Sequence, residues 1–339
     1  MKPIKRIEAL LEGKKLETPA INLWKHFPPY DENPRDLVKK TIQFQERFDW
    51  AFVKVTYHGL YSIQDWGSKI RWPERDSKWP DTCSQVGVVT EFSIKEDSDW
   101  EKLKVNSAKE GALADAVLAV KELAERFKGE APVIPTVFNP LTTAIKMSGD
   151  RMFVHMRRSP DKFKKGIEVI TETTIGLVKE MIKAGADGIF FASQLGTYDR
   201  MSVEEYKVFG RPYDLAVLEE VQGKTWFNIM HMHGMAPMFE LLEEYPVQAI
   251  NWHDRLVDIK LKDGRAKSDK IIIGGVDEIN TLVNGSEEEI RDQILDAIEQ
   301  VEDGRLILGP GCCVPLNVAE DRLEIVKNIA SSIELYSIG

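Results

Sequence analysis

The sequence predicts an α/β fold, a single (β/α)8 barrel of the TIM type. Eight short apolar runs alternate along the 339 residues with segments of helical period, an order typical of parallel strands joined by helices. Several runs are continuously apolar, as K-I-I-I-G-G-V is, which indicates strands that are covered on both faces. A doubly wound open sheet is the alternative, but no early strand is followed by the glycine-rich phosphate turn of that fold.

The predicted strands follow one another at residues 20–24, 51–55, 133–138, 188–192, 226–230, 248–252, 271–275 and 306–309. Between them, residues 159–184 are predicted to be helical, because they begin with Ser-Pro, repeat apolar residues at helical spacing and stop at Gly185. Ser286 and Glu289 have the spacing of a capping box ahead of another amphipathic helix.

We predict one domain over residues 1–339. Two segments, described next, fit no unit of strand and helix, but neither has the composition of a linker between domains. Residues 57–110 contain four tryptophans among polar residues and are predicted to be an insertion of loops and short strands after the second strand, either a lid or a dimer surface. Residues 258–270 are polar and charged, so we expect a surface loop or turn there.

Composition excludes several functional classes. A net charge of -10 argues against binding to nucleic acid or to an anionic membrane, which requires clustered Lys and Arg. The N-terminal residues lack the apolar core of a signal peptide, and no apolar run is long enough to span a bilayer, so a cytoplasmic location is expected. Three cysteines are too few for a disulfide framework, and in a reducing compartment a Cys more often binds metal or reacts.

Polar residues at the ends of the fifth and eighth strands suggest a metal site. His231 and His233 are two apart in an extended segment, so both rings can face the rim where the active site of a barrel lies. The eighth strand leads to Cys312 at the same rim. Two His and one Cys with an open position form a reasonable catalytic zinc set, although ordinary buried polar residues remain the alternative.

Other strand ends carry candidates for catalysis and for substrate binding. Each has an ordinary structural alternative, since Asp254 and Asp277 can cap a helix or a turn and Trp24 can simply pack. Lys25 and His26 can bind a carboxylate or phosphate, and a buried lysine within a strand needs a partner. His253, beside Asp254, can be a base, a metal ligand or a residue that orients a ligand. The catalytic candidates are His253, Asp254 and Lys54, and the substrate-binding candidates are Trp24, Lys25, His26, Ser193, Tyr198 and Asp277.

Taken in order, several landmarks resemble the uroporphyrinogen decarboxylase superfamily. They are R-I-E-A-L-L-E-G-K, P-A-I-N-L-W, F-N-P-L-T, A-G-A-D-G-I-F-F-A-S, I-N-W-H-D, G-G-V-D and L-G-P-G-C-C-V-P. The resemblance covers residues 6 to about 329 and implies a single barrel. The superfamily includes metal-free decarboxylases of uroporphyrinogen and zinc-dependent methyltransferases that move methyl groups between corrinoid proteins and thiols such as coenzyme M, so the site residues must distinguish them.

The decarboxylase pattern is mostly missing from the chain, and of its site residues only Ser193 is kept. The substrate-binding Arg motif corresponds to residues 23–28, which contain no Arg. The central Asp corresponds to Val55 or Thr56, the Tyr to Lys146 and the His to Pro310. A substrate with eight carboxylates would therefore lack its cationic rim and its central acceptor.

The methyltransferase pattern is similar at two motifs. Its P-G-C is present with Cys312 as the implied zinc ligand, and its His-x-Cys-Gly corresponds to H-M-H-G at 231–234, with His233 in place of the Cys. Cys313 is then expected to be a packed neighbour. The resemblance implies a zinc-dependent transfer of a methyl group between a methyl donor and a thiol, the donor being a corrinoid on a partner protein or another molecule. A homodimer is a further expectation. A uroporphyrinogen decarboxylase and a non-catalytic barrel that binds a tetrapyrrole or corrinoid are the alternatives.

Overall fold

The computed structural model of the protein describes residues 1–73 and 86–335, so Trp79 and Cys83 lie outside the described residues. The strands in this part of the chain are β1 (Ala20–Ile21), β2 (Val53–Val55), β3 (Lys69–Arg71), β4 (Val88–Glu91), β5 (Val133–Phe138), β6 (Phe190–Ser193), β7 (Ile229–Met232), β8 (Ala249–Trp252), β9 (Ile271–Val276) and β10 (Leu306–Pro310).

The helices are α1 (Pro3–Leu11), α2 (Pro34–Phe48), α3 (Tyr61–Gln64), α4 (Gly111–Phe127), α5 (Pro140–Ser148), α6 (Arg151–Arg158), α7 (Pro160–Lys183), α8 (Val203–Phe209), α9 (Arg211–Val221), α10 (Phe239–Leu242), α11 (Leu261–Lys267), α12 (Thr281–Asn284), α13 (Glu287–Gln300) and α14 (Glu320–Ser331). Short 3-10 helices cover Tyr30–Glu32 and Asp97–Lys102. The described helices include none that is both long and apolar enough to cross a membrane.

A parallel sheet closes on itself to form the barrel. Its strand order is β1-β10-β9-β8-β7-β6-β5-β2 over the residues that the structure describes. At the seam, the Ala51 amide donates to the Ile21 carbonyl at 2.9 Å, and the Asn22 side-chain oxygen accepts from the Phe52 amide at 2.8 Å. The predicted (β/α)8 barrel is therefore confirmed. All carboxyl ends of these strands meet at one rim, where the functional site of such a barrel is built.

The apolar run at β9 and the capping residues before α13 form the local structure that the sequence predicts. β9 is buried along its whole length, as its uninterrupted apolar run requires. At the start of α13, Ser286 accepts from the Glu289 amide at 3.2 Å, and Glu289 accepts from the Ser286 amide at 2.6 Å. This reciprocal pair is the predicted capping box, and it fixes where α13 begins after β9.

Two local predictions differ from the structure. Residues 20–24 were expected to form one strand, but β1 is shorter because the Asn22 side chain replaces the backbone as the partner of the neighbouring strand. Residues 258–270 were expected to be a loop, and that expectation is wrong, since α11 occupies the middle of the segment. Leu261 and Gly264 bury one narrow face of α11, and Gly264 lies so close to the Trp252 ring that a larger residue would not fit.

The segment 57–110 holds short elements between β2 and α4. α3, the antiparallel pair β3 and β4, and the 3-10 helix Asp97–Lys102 lie in its described part. Trp100 is 1% exposed, packs on Phe163 with ring centroids 4.9 Å apart, and donates to His155 Nδ1 at 3.1 Å. This tryptophan therefore anchors the segment to α6 and α7. The single-domain assignment, the insertion and its use as a lid or dimer surface stay predictions.

Candidate functional site

β7 presents two histidines at the carboxyl rim of the barrel. His231 lies within the strand and is 4% exposed, and His233 follows on the same side two residues later. Gly234, at φ 118°, turns the chain away, and a side chain there would collide with Thr197. The close turn after His233 therefore depends on glycine.

Asn251 fixes the tautomer of His231. Its side-chain amide donates to the Ile273 carbonyl at 2.9 Å and to the Pro310 carbonyl at 3.0 Å. Its oxygen is thereby directed at His231 Nδ1, 2.6 Å away, and accepts the proton of that nitrogen. His231 Nε2 is left with a free lone pair. This is how the second ring nitrogen of a metal-binding histidine is usually held.

Cys312 brings a thiol to that lone pair. Its Sγ lies 3.7 Å from His231 Nε2 and 3.9 Å from His233 Nδ1. Gly311 permits the approach, since a Cβ at that position would lie 2.8 Å from the Cα of His253. The Gly311 amide donates to Glu278 Oε2 at 2.9 Å, which ties the loop after β10 to the loop after β9.

His253 completes a group of four. Its Nε2 lies 3.2 Å from His233 Nδ1, and the ligand atoms of His231, His233, His253 and Cys312 all lie within 4.8 Å of one another. Tetrahedral zinc with bonds of about 2.0 to 2.3 Å places its ligand atoms about 3.3 to 3.8 Å apart. The sequence-predicted trio is thus brought together, and His253, predicted as catalytic, stands among them.

The electrostatics of the group suit a metal cation. Burial, and then the neighbouring His233 and His253, hold the pKa of His231 well below its usual value. Burial and His253 lower the pKa of His233 to about 4. Both rings are therefore neutral at pH 7, and a neutral imidazole is the form that binds a metal.

The adjacent cysteines share a hydrogen bond. This bond and burial raise the pKa of the Cys312 thiol. The same bond, helped by His26 and Lys54, holds the pKa of Cys313 below its usual value although burial opposes the charge. Cys312 therefore carries the proton of the pair, and a cation bound there would release it.

Glu278 and Asp254 lie behind the four side chains. Glu278 Oε1 is 3.5 Å from His253 Nδ1. Asp254 accepts from the Gly275 amide at 3.1 Å, and burial raises the pKa of its carboxyl to about 7. Asp254, predicted as catalytic, thus bonds the backbone of β9 and braces the rim.

The predicted binding residues that follow β1 lie beside the loop after β10, where the Val314 amide donates to the Trp24 carbonyl at 2.8 Å. Trp24 packs edge-on against Phe190 at 5.4 Å, and Lys25 donates to the Val318 carbonyl at 3.2 Å. His26 Nδ1 is 3.3 Å from Asp31 Oδ2. Burial opposes a charge on His26, but the Cys313 thiol and Asp31 outweigh it and raise the pKa of His26 to about 9. His26 is therefore a cation beside Cys313.

Three other predicted binding residues make contacts away from the four side chains. Ser193 is fully buried and shares a 2.8 Å hydrogen bond with Tyr206. Tyr198 is 55% exposed on the loop after β6. Asp277 accepts from the Ile279 amide at 3.0 Å and so caps a turn, the ordinary alternative for this residue.

Sequence reasoning gave no role at the site to Asn251 or Lys146. Asn251 faces His231 directly in the register of β7 and β8, so correct strand pairing would have revealed it. Lys146 lies on α5, where its Nζ donates to the Gly59 carbonyl at 2.6 Å and lies over the Phe138 ring. Only the packing of α5 over the barrel brings this lysine to the mouth.

Comparison with known families gives a direct match. The family model described as uroporphyrinogen decarboxylase (URO-D) matches residues 17–332. The chain belongs to the uroporphyrinogen decarboxylase family. The resemblance seen in the sequence is therefore confirmed.

Relatives that are named for different activities are similar to this chain. A methylcobamide:CoM methyltransferase, MtbA, of Methanosarcina mazei is 27% identical over 252 residues, 72% of each chain. The MtbA of Methanosarcina acetivorans is 26% identical over 250 residues, again 72% of each chain. A uroporphyrinogen decarboxylase of Aquifex aeolicus is 24% identical over 144 residues, 39% of this chain and 42% of its own.

Solved structures agree on the fold. A methyltransferase from Methanosarcina mazei superposes with a TM-score of 0.82 at 17% identity, covering 97% of this chain and 98% of its own. A B12-independent methionine synthase from Shewanella has a TM-score of 0.59 at 14% identity, covering 94% and 96%. At these identities the likeness supports the barrel alone.

Proposed function

We propose that this protein is a zinc-dependent methyltransferase that transfers a methyl group from a corrinoid, carried by a partner protein, or from another methyl donor, to a small thiol. The observation that carries the proposal is the group of four potential ligands, His231, His233, His253 and Cys312, at the carboxyl rim of the barrel. The relatives named methylcobamide:CoM methyltransferases support a corrinoid donor and a thiol acceptor.

The donor set fits zinc on four grounds. Nitrogen and sulfur are the atoms that zinc prefers, and three of the separations between ligand atoms, 3.2, 3.7 and 3.9 Å, are close to those of a tetrahedral site. His231 and His233 are neutral at pH 7, so they need not lose a proton to bind. Asn251 holds His231 in the correct tautomer. Bound zinc would keep a coordinated substrate thiol as a thiolate nucleophile at neutral pH.

The residues around the metal ligands have separate tasks in this proposal. Glu278 orients His253 and, through the Gly311 amide, the loop that carries Cys312. Asp254 and Ser193 support the rim from behind. Lys54, Trp24, Lys25 and His26 form the side of the mouth that receives the acceptor. The buried aromatic rings there keep water away from the reacting sulfur.

Uroporphyrinogen decarboxylation is less well supported. At the positions expected for its central carboxylate, Val55 and Thr56 are buried and carry no acid. Residues 23–28 hold Lys25 and His26 but no Arg where the Arg motif is expected, so the bidentate contacts that Arg makes with carboxylates are missing for a substrate with eight of them.

Metal analysis tests the proposal. Protein purified with zinc present should hold about one equivalent, and His231→Ala and Cys312→Ser should lose it. Cys313→Ser is the matched control, because it removes the neighbouring thiol and should keep the metal. Zinc-loaded protein should then demethylate methylcobalamin in the presence of a thiol, seen by absorbance. A wild-type protein with no affinity for zinc would contradict the proposal. Zinc binding without methyl transfer would favour the non-catalytic alternative.

A further inference from the structure

The barrel closes between β1 and β2 without a backbone ladder. The two strands stand at opposite ends of the strand order, and Asn22, directly after β1, supplies the side-chain oxygen that accepts from the Phe52 amide at 2.8 Å. A small cavity lies at this seam, between α2 and the residues of both strands. Of the described residues that line it, none belongs to the group of potential metal ligands.

The cavity has aromatic walls and three polar side chains. Phe44 and Phe52 form part of the wall, and Asn22, Thr41 and Trp50 line it as well. Each of these three polar residues is at most 3% exposed. Asn22 Nδ2, Thr41 Oγ1 and Trp50 Nε1 are buried and have no hydrogen-bond partner among the residues that the structure describes. Such groups are costly to bury unless another molecule pairs with them.

Two of the three groups are held where they are by other contacts. Because the Asn22 oxygen accepts from Phe52, its Nδ2 has to find an acceptor elsewhere. The Trp50 ring stacks on Phe48 with centroids 4.8 Å apart, and the Trp50 carbonyl accepts from Gln45 Nε2 at 2.8 Å. Neither donor can therefore turn to the solvent without giving up an existing contact.

The chemistry of these groups determines which molecule fits the cavity. It must accept from two donors, Asn22 and Trp50, and pair with the Thr41 hydroxyl, which donates or accepts. Water has two acceptor sites and two protons, and the cavity has room for about one water molecule. Apolar cavities stay dry, whereas polar ones of this size hold water with two to four partners.

We infer that the cavity is a binding site for one ordered water molecule, which accepts from Asn22 Nδ2 and Trp50 Nε1 and donates to Thr41 Oγ1. The water links α2 to the end of β1 and to the residues before β2. It thereby completes the closure of the barrel that the Asn22 side chain begins, and it replaces part of the backbone ladder that β1 and β2 lack.

Thr41→Val tests this site by the sign of a stability change. Valine has nearly the shape of threonine but no hydroxyl. With water bound, the variant loses one hydrogen bond, and its Tm should fall by about 1 to 2 °C. With a dry cavity, the variant removes a buried hydroxyl that has no partner, so an unchanged or raised Tm would overturn the inference. Thr174→Val is the matched control, because this buried hydroxyl donates to the Ile170 carbonyl at 2.8 Å within α7.

Nuclear magnetic resonance tests the same site in the wild-type protein. The indole proton of Trp50 should show a cross-peak to water with the sign of a long-lived bound molecule, and Trp50→Phe assigns the signal by removing it. Trp252 is the control, because its ring is fully buried and its Nε1 donates to the Ile259 carbonyl at 2.8 Å, so no such cross-peak is expected. A Trp50 signal without a water cross-peak would contradict the inference. So would a rise in Tm under xenon that Thr41→Val does not change, since xenon fills dry apolar cavities.

Discussion

Asn251 and His231 lie opposite each other on neighbouring strands, with the Asn251 oxygen 2.6 Å from His231 Nδ1. The Asn251 amide group is held in turn by two backbone carbonyls. Through this hydrogen bond the parallel sheet determines which ring nitrogen of His231, a potential ligand, carries the proton. The ring is oriented before any metal arrives, so little reorganisation is needed on binding.

Removing this hydrogen bond should weaken metal binding. Asn251→Leu leaves His231 free to rotate and to carry its proton on the wrong nitrogen, and we expect a loss of about 10 to 100-fold in zinc affinity. Titration against a competing chelator measures the change.

Asn139→Leu provides the control for that prediction. Asn139, which follows β5, is equally buried and donates to Tyr206 and Asp214 rather than to the site. Both variants should lose stability, by about 1 to 3 kcal/mol for each buried group left without its partner. Equal zinc affinity in the two variants would show that Asn251 does not orient the ligand.

The sequence was sufficient for the barrel and for most of the ligand group. Eight apolar runs fall on eight barrel strands in the described residues, and the histidine pair and Cys312 lie at strand ends where a barrel builds its site. The two-residue spacing of His231 and His233 placed both on one side of an extended chain, which is a local property.

Features that depend on neighbouring elements could not be predicted. A metal-ligand role was one option for His253, but its place beside the other potential ligands depends on β8 lying next to β7, and Lys146 reaches the mouth because α5 folds over β5. α11 was missed for a related reason. Its apolar face is only Leu261 and Gly264, too narrow for a helical period, and its position depends on contact with Trp252.

Gly311 makes a second prediction possible. A Cβ at this position would lie 2.8 Å from the backbone of His253 and 3.2 Å from Glu278 Oε1, so Gly311→Ala must push Cys312 away from the histidines. We expect a folded protein with strongly reduced zinc content. Gly176→Ala, in α7 where a Cβ meets open space, should keep the metal and slightly raise the Tm. Full zinc occupancy in Gly311→Ala would mean that the loop relaxes or that Cys312 is not a ligand.

The buried carboxyl of Asp214 predicts how stability depends on pH. Asp214 accepts from Tyr245 at 2.8 Å, from Tyr206 at 2.6 Å and from Asn139 at 2.9 Å, but burial dominates and raises its pKa from 3.8 to about 7. Between these values the folded chain binds a proton that the unfolded chain has lost. The free energy of unfolding should therefore fall as pH rises from 4 to 7, by at most about 4 kcal/mol from this group.

Asp214→Asn isolates this contribution. The amide cannot titrate, so the free energy of unfolding should change less between pH 4 and pH 7 than it does in the wild type. This difference in slope is expected even if the variant is less stable at every pH, because the NH2 of the new Asn would face a group that donates to Asp214 in the wild type. Asp254, whose pKa is also raised to about 7, contributes equally to both proteins and cancels in the difference. Urea unfolding at several pH values measures both slopes. Parallel curves would show that the three hydrogen bonds keep Asp214 ionised, and that the hydroxyls of Tyr206 and Tyr245 outweigh burial.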